Sequence, residues 1–483
     1  MGVVFGDFRS LWAVICVCIF PFHNICAKYV HLGMKRTDLT SPDYHRNGYD
    51  LERNVHRITL YNTVSADQQH HDMRERLYLH LDMNCFYAQV EQISYNLFGI
   101  PIIVGGWRKE DGTPRGIVAT SSYEARAFGI KTGMSAFEAQ QICPYVVFLQ
   151  VHYEKYQAIS RQLKTILDNY AMDVEKYSMD EYFLDVTFLL KQQRKEIEQF
   201  GIRLKNEVYR KTGLICSVGI AYSKTYAKLA SDINKPNGLT LVLDKEEAKE
   251  IIFPLELNEV WGIGRRRFAK LQDHGMTTIA DAHKRGHVAF QRIFGAYFGK
   301  MLYETATGQD HAKVLSHEQH VPKDITYMHT FSDWTNDIDR VKGELTKAVR
   351  QVGYRMRGYN KRARDFGGYI RFQDAAWKGV SFKFCTKGYT NLDDYILRAA
   401  WQGAEPLLKR FMAEGHTIRG VGIHTIELDQ TNQMELFFRE DEQVRSKYYA
   451  VDNINNRHGL DTIMTASDRY GVVGKTHFLD RNF

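Results

Sequence analysis

Tyr177-Ser178-Met179-Asp180-Glu181-Tyr182-Phe183-Leu184-Asp185-Val186 sets two adjacent carboxylates, Asp180 and Glu181, inside an apolar and aromatic run. The run reads as two short strands with a tight join at Ser178-Met179. A carboxylate in such surroundings costs several kcal/mol unless it is paired or ligates a metal. Alone, an Asp-Glu pair of this kind is ordinarily a salt-bridged turn at a sheet edge. A second stretch changes that reading. In Leu77-Tyr78-Leu79-His80-Leu81-Asp82-Met83 the apolar residues alternate at 77, 79, 81 and 83, which predicts a strand whose opposite face closes in Asp82. Two strands ending in acids suit divalent cations, because Mg2+ takes carboxylate oxygen and keeps room for substrate phosphates. The expectation is a phosphoryl-transfer site made by Asp82, Asp180 and Glu181.

The chain around these stretches has 483 residues, enough for three or four domains, and its 25% charged and 44% hydrophobic residues are an ordinary globular balance. Net charge is +7, yet residues 339–398 hold fourteen Lys/Arg against six Asp/Glu, which leaves the remainder close to neutral. One basic segment on a near-neutral body suggests a module for a polyanion, although charge runs more often mark a solvated face. The seven cysteines show no metal-ligand spacing, so a reduced, cytoplasmic protein is expected. Residues 11–22 (LWAVICVCIFPF) are apolar but too short to span a bilayer, are broken by Pro21 and precede no clear cleavage site. No membrane partner is expected. Residues 1–76 read as a leader outside the folded protein, with Met34 or Met73 as alternative starts, and 35–76 lack periodicity.

Past Asp82, residues 84–91 predict a helix capped by Asn84, with Phe86 and Tyr87 in its first turn. Aromatics there are core packing or a platform under a nucleotide sugar. Residues 116–130 read as a strand entering a helix, with Ser121 or Ser122 as N-cap and Gly129 as stop. Tyr123 and Arg126 then share a face near a helix N-terminus, where a phosphate is at home. A helical pattern over 153–170 leads into the acidic hairpin. A helix over about 191–212 precedes a strand at 214–221. Ser223 caps a helix that puts Lys224 and Lys228 on one face, where solvated lysines are an equally good reading. Lys235-Pro236-Asn237-Gly238 ends it in a turn that can carry Lys235 to a triphosphate.

Gly262-Ile263-Gly264 followed by Arg265-Arg266-Arg267 lets backbone N–H groups approach a phosphate at the start of a basic helix. Gly262, Gly264 and Arg265 are therefore candidate contacts in a helix-hairpin-helix grip on DNA backbone. Residues 323–429 alternate helices (339–358, 393–414) with strands (365–372, 379–386, 418–428), an α+β module that carries the basic excess. Residues 430–483 read as a polar tail with one helical stretch near 440–457.

Taken together, Asp82-Met83-Asn84-Cys85-Phe86-Tyr87-Ala88-Gln89-Val90-Glu91, Ala119-Thr120-Ser121-Ser122-Tyr123-Glu124-Ala125-Arg126, the acidic hairpin, and Ser217-Val218-Gly219-Ile220-Ala221 with Lys235-Pro236-Asn237-Gly238 resemble the Y-family translesion DNA polymerases in order and spacing. The likeness runs to the bacterial DNA polymerase IV and UmuC-type members and covers roughly 77–429. It implies a multidomain α+β right-hand fold. The ferredoxin-like palm would be 77–94 and 151–243, the small fingers 95–150, the helix-hairpin-helix thumb 244–315 and the α+β little finger 322–429. It implies low-fidelity DNA-directed synthesis past damage, in DNA repair and damage-induced mutagenesis, on primer-template DNA and deoxynucleoside triphosphates. By position, Asp82, Asp180, Glu181 and the Met83 carbonyl would hold two Mg2+ ions. Tyr87 matches the gate against a ribose 2′-hydroxyl, Phe86 its neighbour, and Thr120, Tyr123, Arg126 and Lys235 the triphosphate pocket. Asn84, Met179 and Tyr182 depart from the usual Asp, Ile and small residue. Gln433-Met434-Glu435-Leu436-Phe437 is similar to peptides that dock on bacterial sliding clamps, with Gln433, Leu436 and Phe437 as contacts.

Two other classes compete. A catalytically weak DNA- and clamp-binding relative would be favoured by loss of an acid, and all three are present. A nucleotidyl cyclase also joins a strand-end Asp to an acidic hairpin, but needs neither the Gly-Ile-Gly turn nor the basic module.

Overall fold

The structure is a computed structural model that describes residues 76–108, 111–310, 312–315, 322–372, 379–429, 442–459 and 462–464. All but the last residue of the expected leader lies outside this set. The chain divides into two compact units at residues 317 and 318.

The first unit opens with β1 (Tyr78–Met83) and α1 (Phe86–Tyr95). Then come β2 (Ile102–Arg108), β3 (Pro114–Ser121), α2 (Tyr123–Ala127), α3 (Ala136–Ile142) and β4 (Val147–Leu149), whose strands form a small sheet of order β3-β2-β4. The chain continues through α4 (Tyr153–Leu167), β5 (Val174–Lys176), β6 (Glu181–Asp185) and α5 (Arg194–Thr212) to β7 (Cys216–Ala221), α6 (Lys224–Ile233) and β8 (Leu239–Val242). These strands join β1 in a five-stranded sheet of order β5-β6-β1-β7-β8, with β1 antiparallel to both β6 and β7.

Alternation along β1 decides which face each side chain meets. Leu79, Leu81 and Met83 pack with Leu184, Val218 and Ile220 beneath Phe86, Tyr156, Leu163 and Leu204 of α1, α4 and α5. Tyr78 and Phe183 face the other way, toward Tyr226 and Ala230 of α6. Asp82 therefore shares the α6 face, as the alternation of 77, 79, 81 and 83 predicts. Helix α6 lies tight on β7 because a Cβ at Gly219 would stand 2.1 Å from the Ala227 carbonyl oxygen and 2.5 Å from the Ser231 nitrogen. Asn84 does not cap α1. Cys85 takes the capping position in a left-handed conformation (φ 36°), and the Asn84 amide donates instead to Ser217 Oγ at 3.0 Å.

Four helices follow: α7 (Lys245–Ile251), α8 (Arg265–Asp273), α9 (Ile279–Phe294) and α10 (Ala296–Ala306). Ile263, Leu271, Ile279, Phe290 and Leu302 of this part share one core with Tyr226 and Leu229 of α6.

The second unit is β9 (Thr326–Thr335), α11 (Ile338–Gly358), β10 (Ala363–Phe372), β11 (Gly379–Thr390), α12 (Asp393–Ala413), β12 (Ile418–Thr425) and α13 (Glu442–His458). Its sheet has order β11-β10-β12-β9, and every pairing is antiparallel. Val341, Leu345, Val349, Ile396 and Leu408 of α11 and α12 pack on Phe366, Ile370, Val421 and Ile423. Among the described residues no helix is long and apolar enough to cross a membrane.

The helix near 440–457 departs from the tail reading. The Arg357 guanidinium of α11 donates to Asp452 of α13 at 2.6 Å and to Asp393 at 2.7 Å, and Tyr448 lies 4.9 Å from it. All four are buried. Burial pushes the Asp393 carboxyl up to about 7 against the pull of Arg357. Removing one partner of a buried pair strands the others, at a cost of about 3–5 kcal/mol. Arg357→Ala should therefore destabilise the second unit by that order in calorimetry of the intact chain. An unchanged transition would contradict the triad's role.

Candidate active site

Antiparallel pairing sets Asp82 directly opposite Glu181, and the next residue, Met83, donates its N–H to the Asp180 carbonyl at 3.0 Å. Residues so paired have Cβ atoms about 4.5–5.5 Å apart. The bend is shaped by Ser178, whose hydroxyl donates to Asp180 Oδ1 at 2.5 Å and accepts from the Glu181 N–H at 3.1 Å. Burial pushes the Asp82 carboxyl up to about 7; Lys235 pulls it down and Glu181 adds to the rise. Asp180 is raised too, chiefly by burial, with Ser178 opposing and Asp82 reinforcing.

Two ammonium groups sit on these acids. Lys235 Nζ lies 2.8 Å from Asp82 Oδ1 and 2.6 Å from Asp232 Oδ1, and Lys228 Nζ pairs with Glu181 Oε1. Burial works against the Lys235 ammonium, but the two aspartates outweigh it and raise it above the usual lysine range. Among the described residues no three His, Cys, Asp or Glu side chains stand as a ready-made metal-ligand group. The donor chemistry fits a hard cation all the same: three carboxylates meet at one strand end, two of them held by exchangeable ammonium groups and Asp180 by the Ser178 hydroxyl, with no fixed guanidinium fork on any of them.

The turn carrying Lys235 is held from three sides. Asn84 Oδ1 accepts the Asn237 N–H at 2.9 Å, and Ser217 Oγ accepts the Gly238 N–H at 3.1 Å. Lys205 donates to the carbonyls of Asn237 and Gly238 at 2.6 and 3.0 Å. The sequence reading missed this support. Its one signal was a polar Asn84 and Ser217 in otherwise apolar strand ends.

Tyr87 reaches the corner from the first turn of α1. Burial raises its hydroxyl, with Tyr153 and the Asp180 charge adding to the rise. Its ring stacks on Tyr156 (centroids 4.3 Å, planes 13° apart), and the Tyr156 hydroxyl donates to Glu91 at 2.6 Å. Lys155 and His152 also hold Glu91, at 2.8 and 3.1 Å. Phe86, expected to contact nucleotide, is buried against Tyr87 and Tyr156 and braces them instead. Tyr123 opens α2, and burial pushes its hydroxyl, which has no hydrogen-bond partner among the described residues, up to about 12. That hydroxyl also feels Lys235 and Asp82. The exposed Arg126 lies 5.0 Å from the Tyr123 ring and donates to the Ser121 carbonyl at 3.1 Å, while Thr120 is half-buried at the end of β3.

Asp82, Asp180, Glu181, Tyr87, Tyr123 and Lys235 thus come together, and Arg126 borders them through Tyr123, whereas Thr120 is placed only by its position in β3, three residues before Tyr123. Gly262 takes a positive φ of 82° and Gly264 caps α8, leaving Arg265 exposed. This turn is joined to the acidic hairpin by Trp261, whose ring lies 5.6 Å from Tyr177 and 5.9 Å from Phe183. Gln433, Leu436 and Phe437 lie outside the described residues.

The impB/mucB/samB family model matches residues 81–232, and the model of that family's C-terminal domain matches residues 322–436. DNA polymerase IV of Lactococcus lactis subsp. cremoris is 36% identical over 282 residues, covering 57% of this chain and 75% of that protein. DNA polymerase IV of Staphylococcus epidermidis is 34% identical over 292 residues, covering 60% and 79%. Among solved structures, the Y-family DNA polymerase chimera Dbh-Dpo4(243-245)-Dbh shares the fold with a TM-score of 0.60 at 24% identity, over 72% of this chain and 98% of that one. Because these likenesses run through both units and cover most of each relative, the chain belongs to the impB/mucB/samB family of Y-family translesion DNA polymerases and is a DNA-directed DNA polymerase.

Proposed function

We propose that this polymerase extends a DNA primer by metal-assisted nucleotidyl transfer at Asp82, Asp180 and Glu181, with low fidelity and past damaged bases. The observation that carries the reading is the register of β1 on β6, which brings two remote carboxylates face to face and ties the third to Met83. Asp82, Asp180, Glu181 and the Met83 carbonyl would hold two Mg2+ ions. Bound there, the ions supply a more acidic primer 3′-hydroxyl and neutralise triphosphate charge.

The chain's own residues do the positioning. Lys235, Tyr123, Arg126 and Thr120 receive the deoxynucleoside triphosphate. As the primer oxygen bonds to the α-phosphorus and the bond to pyrophosphate breaks, Lys235 and Arg126 offset the charge gathering on the leaving group. Tyr87, stacked on Tyr156, fills the space a 2′-hydroxyl would need. The Gly262-Ile263-Gly264-Arg265 turn and the basic second unit grip primer-template phosphates without regard to sequence. From its sequence, the peptide with Gln433, Leu436 and Phe437 would dock on a sliding clamp. Such an enzyme serves DNA repair and damage-induced mutagenesis in the cytoplasm.

Asp180→Ala should abolish primer extension on damaged and undamaged templates while leaving DNA binding within about twofold by gel shift, since the acid touches metal rather than DNA. Extension that survives would contradict the assignment. Tyr87→Ala should admit ribonucleotides, read as a fall of about 100-fold or more in the deoxy-to-ribo ratio of kcat/KM. An unchanged ratio would remove Tyr87 as the gate.

A further inference from the structure

Helix α6 and the turn after it lay three lysines on three acids of the sheet: Lys224 on Glu175 at 2.8 Å, Lys228 on Glu181, and Lys235 on Asp82 at 2.8 Å. The three pairs are not alike. Lys224 is buried, donates also to the Lys313 carbonyl at 3.2 Å, and lies 4.7 Å from the Phe183 ring. Its partner Glu175 takes the Leu315 N–H at 2.7 Å as well, so that pair fastens chain segments together. Lys235 belongs to the nucleotide pocket. Lys228 has neither role: among the described residues its ammonium has one hydrogen-bond partner, the carboxylate of Glu181, and both side chains keep some exposure (22% and 18%).

Lys228 is nonetheless held in place. Its backbone carbonyl accepts from the Ser231 hydroxyl at 2.7 Å, and that hydroxyl meets His80 Nδ1 at 2.8 Å, so this turn of α6 is pinned to the strand that carries Asp82. The Tyr177 ring lies 5.7 Å from the ammonium. Without a metal, three carboxylates gather at this corner, and the single charge of Lys235 leaves an excess of negative charge in a largely buried place. Like charges so placed repel strongly. An ammonium on Glu181 relieves the repulsion, but it occupies an oxygen that a divalent cation would need.

We propose that Lys228 is a cation placeholder: in the metal-free protein its ammonium neutralises Glu181 and keeps the acidic corner closed, and it gives up that oxygen when a divalent ion binds. The inference rests on the metal reading of Asp82, Asp180 and Glu181 given above. Losing the ammonium should therefore act in opposite directions on the two states, weakening the metal-free fold and strengthening cation binding. A lysine that helped to bind metal, or merely packed, would not divide its effects in this way.

The test measures Mn2+ binding to the intact chain, without DNA or nucleotide, by electron paramagnetic resonance of the free ion, together with Tm in EDTA and in Mn2+. Lys228→Met should bind Mn2+ about fivefold tighter than the unsubstituted chain or better, melt lower in EDTA, and gain more Tm from Mn2+. Lys228→Arg, which keeps the charge and can grip the Glu181 carboxylate with two N–H groups, should bind Mn2+ no tighter than the unsubstituted chain. A Lys228→Met chain that is unfolded in EDTA but folded in Mn2+ supports the proposal equally. Equal or weaker Mn2+ binding by Lys228→Met, or a chain unfolded in both conditions, overturns it. Absence of Mn2+ binding by the unsubstituted chain, or undiminished binding by Asp180→Ala, would instead overturn the metal reading itself.

Discussion

The pairing of β1 with β6 is the constraint on which the rest depends. Asp82 lies about a hundred residues before Glu181, and nothing in either stretch brings them together except the ladder that aligns Tyr78 with Asp185 and Asp82 with Glu181. A slip of one residue would turn Asp82 toward the core of Leu79, Leu81 and Phe86 and present an apolar residue to α6. Both faces of the sheet are covered, so such a slip would bury a charge among apolar side chains and break the packing on both faces at once. Chemistry and packing therefore ask for the same register.

Electrostatics then shapes what surrounds the corner. Acids brought together in a buried place must be compensated, and the lysines on and beyond α6 supply the charge. Neutral hydrogen bonds set the direction of that charge: Asn84, Ser217 and Lys205 fix the turn from which Lys235 reaches Asp82. On the opposite side the aromatic stack of Tyr87 on Tyr156 ends in Glu91, whose carboxylate receives three donors. One wall of the site is thus set by charge and the other by a braced ring.

Much of this was legible because it depends on short periodicity or on local caps. The alternation at 77, 79, 81 and 83 gave both the strand and the face of Asp82, and Ser122 and Ser223 cap α2 and α6 through N–H groups three residues on. What the sequence hid depends on partners far along the chain. Strand β9 was not foreseen, since only Tyr327, Phe331 and Thr335 are buried along it, and at that spacing an edge strand loses its alternation. Asn84 reads as a helix cap until Ser217 and Asn237 are seen to compete for its amide. Phe86 is no different in kind from Tyr87 by sequence, yet one residue of helical rotation puts it in the core. Lys228 looks solvated until β6 is placed beneath it. Helix α13 looks like tail because the groups that attach it, Asp452 and Tyr448, meet an arginine more than ninety positions away.

The most direct measurement is the anomalous scattering of Mn2+ in crystals of the intact chain with primer-template and a non-hydrolysable deoxynucleoside triphosphate. Two peaks within coordination distance of the carboxylates of Asp82, Asp180 and Glu181 are expected. Peaks that touch none of Asp82, Asp180 and Glu181 while nucleotide and primer end are in place would contradict the site described here.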